Sequence, residues 1–391
     1  MGKSQTTGSN RNLTNKLDDR ILYPGEYLEY RGEDSRTFID KSKGIYLYDK
    51  TGHKMIDGPG GMWNVNVGHG VKEIADAIHE QIRKMPYASP FSESTEIATT
   101  YASRLVKYAP GDLKRVFFTS GGSSAVDSAL RFVMFYNNVR GLKEKKLIIS
   151  RHDAYHGSTY LSASCSGKER DKNNFDFADD IVHHLSSPNP FRKDKNLSDE
   201  EFCDLKVKEL EDKILELGSD KVAAFIAEPI LASGGVIIPP KGYHKKTLEI
   251  CRKHNILYIS DEIVTGFGRL GHIMSSEEHF DVTPDIILLA KGITSGYVPC
   301  GAVVISETLM ADLDNKEKVI FSNGFTDSGH PVAMAAAHAT LDFMENNKLL
   351  DHVKKVAPYF QSKLSELIDL PIVGDVRGAG LMAAVECVID K

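Results

Sequence analysis

Pro284-Asp-Ile-Ile-Leu-Leu-Ala-Lys291 is the stretch from which the fold can be read. Its apolar run has the length of a strand and none of the alternation expected if one side faced water. A strand apolar on both sides needs cover on both faces, the condition of a strand inside a parallel sheet. Working outward, Ile256-Leu-Tyr-Ile-Ser leads into Asp261 and Val222-Ala-Ala-Phe-Ile-Ala leads into Glu228, repeating the pattern. Similar runs lie at 116–119, 147–150 and 302–305. Between and before them, apolar residues recur at helical spacing over 71–84, 93–108, 125–138, 199–217 and 243–254. Strands alternating with helices predict an α/β fold, a large domain with a mostly parallel central sheet covered by helices.

The flanks read differently. Residues 44–57 alternate around Thr51-Gly52 and predict a hairpin. The glycine-rich passage Gly58-Pro-Gly-Gly-Met-Trp-Asn-Val-Asn-Val-Gly68 follows. After Pro331 the pattern turns helical, then strand-like over 374–387. The expected division is a disordered segment 1–20, a segment 21–70 joining a smaller domain, a large domain 71–325, and a smaller α+β domain over 326–391.

Composition excludes more than it assigns. A formal net charge of −6 gives no basic face for nucleic acid or anionic lipid. The first twenty residues are polar, no window approaches the roughly 20 apolar residues of a membrane span, and the five cysteines are scattered without metal spacing. A reducing cytoplasm is the expected location.

Chemistry is expected where the strands end, because ligands of open α/β sheets collect at their carboxyl ends. Glu228, Asp261 and Lys291 each follow an apolar run directly. One such residue is an ordinary solvated strand end; three of opposite sign point to a site. A desolvated lysine has a lowered pKa and attacks carbonyls, and a carboxylate beside it can hold a heterocyclic nitrogen protonated. That is the pair pyridoxal phosphate requires. Val116-Phe-Phe-Thr-Ser-Gly-Gly-Ser-Ser-Ala-Val-Asp127 reads as strand, tight turn and helix start, with Ser124 and Asp127 spaced for a capping box. Free N–H groups there suit a phosphate, although an ordinary strand-to-helix turn fits the same residues. Tyr155, within His152-Asp-Ala-Tyr-His-Gly-Ser158, is placed either to stack on a flat ring or to sit half-buried in a turn. Trp63, the only tryptophan, fits a core position or a site wall. Neither a P-loop nor a dinucleotide fingerprint is present, and His183-His184 lacks partners at ligand spacing.

With these residues in view, the chain resembles the class III, fold-type-I pyridoxal-phosphate aminotransferases, and within them the ω-amino acid and amine:pyruvate members. The resemblance runs from about Tyr23 onward. It rests on Ser260-Asp-Glu-Ile-Val-Thr-Gly-Phe-Gly-Arg269, on 284–302, on Asn323-Gly-Phe-Thr-Asp-Ser-Gly-His-Pro331 and on Gly374-Asp-Val-Arg-Gly-Ala-Gly-Leu-Met382, with Glu228-Pro-Ile-Leu-Ala-Ser-Gly-Gly-Val-Ile-Ile-Pro-Pro240 in support. It implies a ping-pong transaminase moving an amino group from an ω-amino acid or primary amine to an oxo acid such as pyruvate. Lys291 would carry the cofactor as a Schiff base and shuttle the proton, while Asp261 holds the ring nitrogen. Tyr155 and Ile263 would flank the ring, Gly122 and Ser123 bind the phosphate, and Glu228 lie near the cofactor. Trp63 would wall the substrate pocket. Thr326 would reach the phosphate of a neighbouring subunit, implying a homodimer.

Three departures stand out. Gly121 and Ser124 replace the usual Ser and Glu of the phosphate turn, and Asp327 stands where many members have Tyr. The chain also stops at Lys391, short of the element that supplies the family's substrate-carboxylate arginine; Arg377 belongs to a different motif, so that clamp has no candidate. An aminomutase or decarboxylase on the same fold, and a non-catalytic relative, are the alternatives.

Overall fold

The six apolar runs become six of the seven strands of one sheet in a computed structural model that describes residues 20–30, 36–314 and 316–389; the seventh, which holds His183 and His184, was not among the runs. The seven are β4 (Leu113–Thr119), β5 (Leu147–Arg151), β6 (Val182–Leu185), β7 (Val222–Ala227), β8 (Leu257–Asp261), β9 (Ile286–Leu289) and β10 (Gly301–Ser306), in the spatial order β4-β10-β9-β8-β7-β5-β6. Pairings from β9 through β6 are parallel. Only β10 runs antiparallel to both neighbours. Residues 290–300, which join β9 to β10, contain a single 3-10 turn, Lys291–Ile293. A parallel return needs a crossover of a dozen or more residues, usually a helix, so the chain reverses instead. The mostly parallel α/β expectation holds, with this exception.

Ten helices of at least five residues occur among the described residues: α1 (Lys72–Lys84), α2 (Glu96–Leu105), α3 (Gly122–Val139), α4 (Tyr160–Cys165), α5 (Asp199–Leu217), α6 (Tyr243–Lys253), α7 (Ser276–Phe280), α8 (Glu307–Ala311), α9 (Pro331–Asn346) and α10 (Leu349–Ser365). Alternate strand residues point to opposite covers. Ile286, Leu288, Val303 and Ile305 cluster with Val126, Leu130 and Val133 of α3. Ile287, Leu289, Ala302 and Val304 cluster with Leu105 of α2 and Met334 and Leu341 of α9. Further along the sheet, Ile149, Phe225 and Tyr258 are covered by Leu210 and Ile214 of α5 and Cys251 of α6. Each fully buried large aliphatic contributes about 1.5–3 kcal/mol, so it is this two-sided cover that fixes the strand ends on which the site is built.

Helix α5 spans the expected residues because its start is written locally. Ser198 Oγ accepts from the Glu201 N–H at 3.2 Å, and Glu201 Oε2 accepts from the Ser198 N–H at 2.8 Å. Helix α3 starts differently: the Ser124–Asp127 capping box is not formed. Ser124 Oγ donates to Gly121 O at 2.9 Å, and Asp127 Oδ1 accepts from the Ser162 N–H at 2.9 Å. A tertiary partner draws Asp127 away, and α3 begins at Gly122, three residues before the expected 125.

The chain divides into two compact units, Met1–Gly58 and Pro59–Lys391. The first carries an antiparallel meander, β1 (Ile39–Lys43), β2 (Tyr46–Asp49) and β3 (Lys54–Ile56). Its second turn is the expected one: Asp49 Oδ1 accepts from the Thr51 and His53 N–H groups, each at 2.9 Å. The segment expected to be disordered, 1–20, lies outside the described residues except for Arg20. In the second unit, the strand-like stretch 374–387 is a hairpin of β11 (Val373–Ala379) and β12 (Met382–Cys387).

Candidate active site

Strands β9, β8 and β7 are consecutive neighbours, with Asp261 opposite Leu288 and Ala227 opposite Ser260. Their carboxyl ends are therefore level, and Lys291, Asp261 and Glu228 arrive on one rim of the sheet. Asp261 and Glu228 are each 3% exposed. Burying carboxylates costs heavily unless they are hydrogen-bonded, and both are. Glu228 Oε1 accepts from the Tyr155 N–H at 2.9 Å, and Oε2 from the Ala232 N–H at 3.1 Å. Burial nevertheless pushes the Glu228 pKa up; the neighbouring Asp261 adds to this, and His156, Tyr155 N–H and Arg151 oppose it.

Asp261 has a partner that the sequence did not single out. Its Oδ2 lies 2.7 Å from His156 Nδ1, with both side chains buried, while Oδ1 accepts from the Ile263 N–H at 3.1 Å. An ionised carboxylate only accepts, so His156 donates from Nδ1. Its Nε2 is buried without a partner. The His-Gly motif after Tyr155 was visible in the sequence, but the pair spans 105 residues, and no local pattern signals it.

Lys291 is the unpaired member. Its Nζ makes no hydrogen bond or ion pair among the described residues and lies 5.7 Å from the centre of the Trp63 ring. Burial lowers its pKa; Asp261 and Glu228 pull the other way, and Arg269 lowers it further. Its backbone sits in the left-handed region at φ 48°, a strain that persists only where the surroundings enforce it. A lysine held at a strand end with a depressed pKa and no counter-donor is a nucleophile for carbonyl carbon.

The glycine turn closes the same rim. A Cβ on Gly122 would lie 3.1 Å from Ile263 Cδ1 and 3.6 Å from Ala290 Cβ, which sets the start of α3 beside Lys291. Ser123 Oγ accepts from the Ser158 N–H at 3.0 Å, tying that turn to the loop that carries Tyr155. Tyr155 is 37% exposed, with its hydroxyl 3.1 Å from Ser158 Oγ. Lys291, Asp261, Glu228, Tyr155, Ile263, Gly122, Ser123 and Trp63 thus belong to one connected cluster. Thr326 does not join it: the residue is exposed, and its carbonyl accepts from Tyr87 Oη at 3.0 Å. Asn66 and Arg269, which the sequence did not single out, lie beside the cluster and are hydrogen-bonded to each other at 2.5 Å.

These residues fit pyridoxal phosphate. An amine without a partner, a carboxylate anchored from behind and a helix start with free N–H groups are what its carbonyl, ring nitrogen and phosphate need. No group of three or more His, Cys, Asp or Glu among the described residues could hold a metal ion, and no described helix is long and apolar enough to cross a membrane.

Comparison with known proteins agrees with the geometry. The class-III aminotransferase family model matches residues 29–391. The putrescine–pyruvate aminotransferase of Pseudomonas aeruginosa is 38% identical over 375 residues, covering 95% of this chain and 82% of that protein. The vanillin aminotransferase of Capsicum frutescens is 37% identical over 385 residues, covering 97% and 84%. Among solved structures, the ω-transaminase of Pseudomonas jessenii in complex with PMP superposes with a TM-score of 0.93 at 36% identity, covering 96% of this chain and 84% of that one. The family supports transamination between an amine and an oxo acid; it lends nothing to the aminomutase, decarboxylase and non-catalytic alternatives. The chain belongs to the class-III aminotransferases, the fold-type-I enzymes that depend on pyridoxal phosphate.

Proposed function

We propose that this aminotransferase takes the amino group from a primary amine or ω-amino acid and gives it to an oxo acid, with pyruvate as the principal acceptor, in two half-reactions. The observation that carries the reading is the Lys291 Nζ, unpaired beside two buried carboxylates and facing the Trp63 ring. An apolar, aromatic wall next to the reacting amine suits a donor whose amino-bearing carbon carries hydrocarbon. The names of the relatives, which use putrescine, vanillin and pyruvate, point the same way.

When bound, pyridoxal phosphate supplies an electrophilic carbonyl and a ring that withdraws electrons. In this reading Lys291 Nζ holds the cofactor, and once a donor amine has freed it, takes the proton from the donor's amino-bearing carbon. Asp261, oriented by its hydrogen bond from His156, keeps a proton on the ring nitrogen. Tyr155 and Ile263 flank the ring, and the Gly122 and Ser123 N–H groups at the start of α3 meet the phosphate. Glu228 fixes the Tyr155 backbone. Thr326, exposed and outside the cluster, serves the phosphate site of a second subunit, so the active form is a homodimer.

Incubating the chain and cofactor with pyruvate and a panel of primary amines, and quantifying alanine, tests the proposal. Alanine formed from diamines or ω-amino acids supports it. Alanine from none of them, with turnover only of α-amino acid donors, contradicts it.

A further inference from the structure

Residues Gly60, Gly61, Met62 and Trp63 have φ of 58°, 58°, 59° and 60°, a complete left-handed helical turn. Its backbone bonds run from the Trp63 N–H to Pro59 O and from the Asn64 N–H to Gly60 O, both at 2.9 Å. Glycine takes this conformation freely, but Met62 and Trp63 do not, and consecutive left-handed non-glycine residues persist only when something outside the turn enforces them.

We infer that Asn66 and Arg269 are positioning residues that clasp this turn and hold Trp63 over the reactive amine of Lys291. Arg269 donates from a terminal nitrogen to Asn66 Oδ1 at 2.5 Å, and Asn66 Nδ2 donates to Phe267 O at 2.8 Å. Between them the two bonds fasten the end of the glycine-rich passage to the loop that follows Asp261. Arg269 is largely buried, forms no ion pair among the described residues, and has its Nε without a partner. A guanidinium held this way, against its own desolvation, is fixed by geometry and not by a counter-charge. The fit is tight at Gly292 and in ordinary contact at Gly60. A Cβ on Gly292, next to Lys291, would lie 2.3 Å from Asn66 Nδ2, and a Cβ on Gly60 would meet the Arg269 guanidinium at 3.7 Å. The Val67 N–H adds a bond to Ser295 Oγ at 3.0 Å. The Arg269 carbonyl meanwhile accepts from the Leu381 N–H at 3.0 Å, which ties the clasp to the turn of the β11–β12 hairpin.

The inference rests on the proposed amine pocket only in its kinetic consequence. Because Trp63 is the single tryptophan, its fluorescence reports the wall directly, whatever the substrate. In the full chain, with and without pyridoxal phosphate, Trp63 is expected to be shielded from acrylamide. Asn66→Ala and, separately, Arg269→Met are expected to raise its quenching constant about two-fold and shift its emission to the red, while the far-ultraviolet circular dichroism stays unchanged. Loss of a charge-assisted bond should raise KM for amine donors about ten-fold with little change in kcat. Unaltered Trp63 shielding in a folded variant overturns the inference, as does a Trp63 in the unsubstituted chain quenched as freely as a tryptophan in an unfolded peptide. Increased quenching without a change in KM would uphold the clasp and count against the pocket assignment.

Discussion

The floor and the wall of the Lys291 site are built from opposite kinds of backbone. The floor is three adjacent strand ends whose apolar runs are covered on both faces, and Glu228, Asp261 and Lys291 are delivered there by sheet register. The wall is a left-handed turn, Gly60 to Trp63, that no regular element extends and that long-range side-chain bonds hold in place. In the proposed function, the charges that make or hold bonds sit on strands covered on both faces, whereas the surface offered to the donor sits on a turn outside the sheet.

The comparison breaks most sharply at Lys291. Lys291→Ala removes the only unpaired amine on the floor and should lower kcat by on the order of 10⁴-fold or more, while chemical denaturation shows a fold no less stable. Replacing Asp261 with Ala removes the fixed charge from the ring nitrogen's side of the floor, and a loss of about 10²–10³-fold in kcat is expected. His156→Leu leaves Asp261 in place without its 2.7 Å donor; about a ten-fold fall in kcat, with a shifted pH profile, would show that the histidine acts through the carboxylate. The wall should answer more weakly and in KM, as described for Asn66 and Arg269. Should the wall variants lower kcat as much as Asp261→Ala does, the division between floor and wall is wrong.

The smallest effect is electrostatic. Burial depresses the Lys291 pKa below its ordinary 10.5, so between the folded value and 10.5 the unfolded chain binds more protons than the folded one. Stability of the cofactor-free chain should therefore rise with pH across that window, and the contribution should be lost as pH falls through the folded value. Denaturation midpoints measured across the window, with Lys291→Met as reference, should show a slope that the variant lacks.

Much of the floor was legible in the sequence because its signals are local. Unbroken apolar runs gave the floor strands, and the residue directly after each of those three runs gave the ionisable groups. What could not be read depends on distant partners. Asp127 is spaced for a capping box, yet it bonds Ser162 instead. His156 and Asp261 meet across 105 residues, and Asn66 and Arg269 across 203. The reversal of β10 follows from a connection with no crossover helix, a matter of chain geometry and not of apolar pattern. The left-handed turn was visible only as a surplus of glycine, and nothing in Met62-Trp63 announces that both share it.

The central claim is that Lys291 is the residue that holds pyridoxal phosphate. The most direct test is to add the cofactor to the purified chain, reduce with borohydride, and locate the covalent adduct by peptide mass spectrometry. One dominant adduct is expected, on Lys291, and it should disappear in Lys291→Ala. An adduct spread over exposed lysines, or one that survives the substitution unchanged, would contradict it.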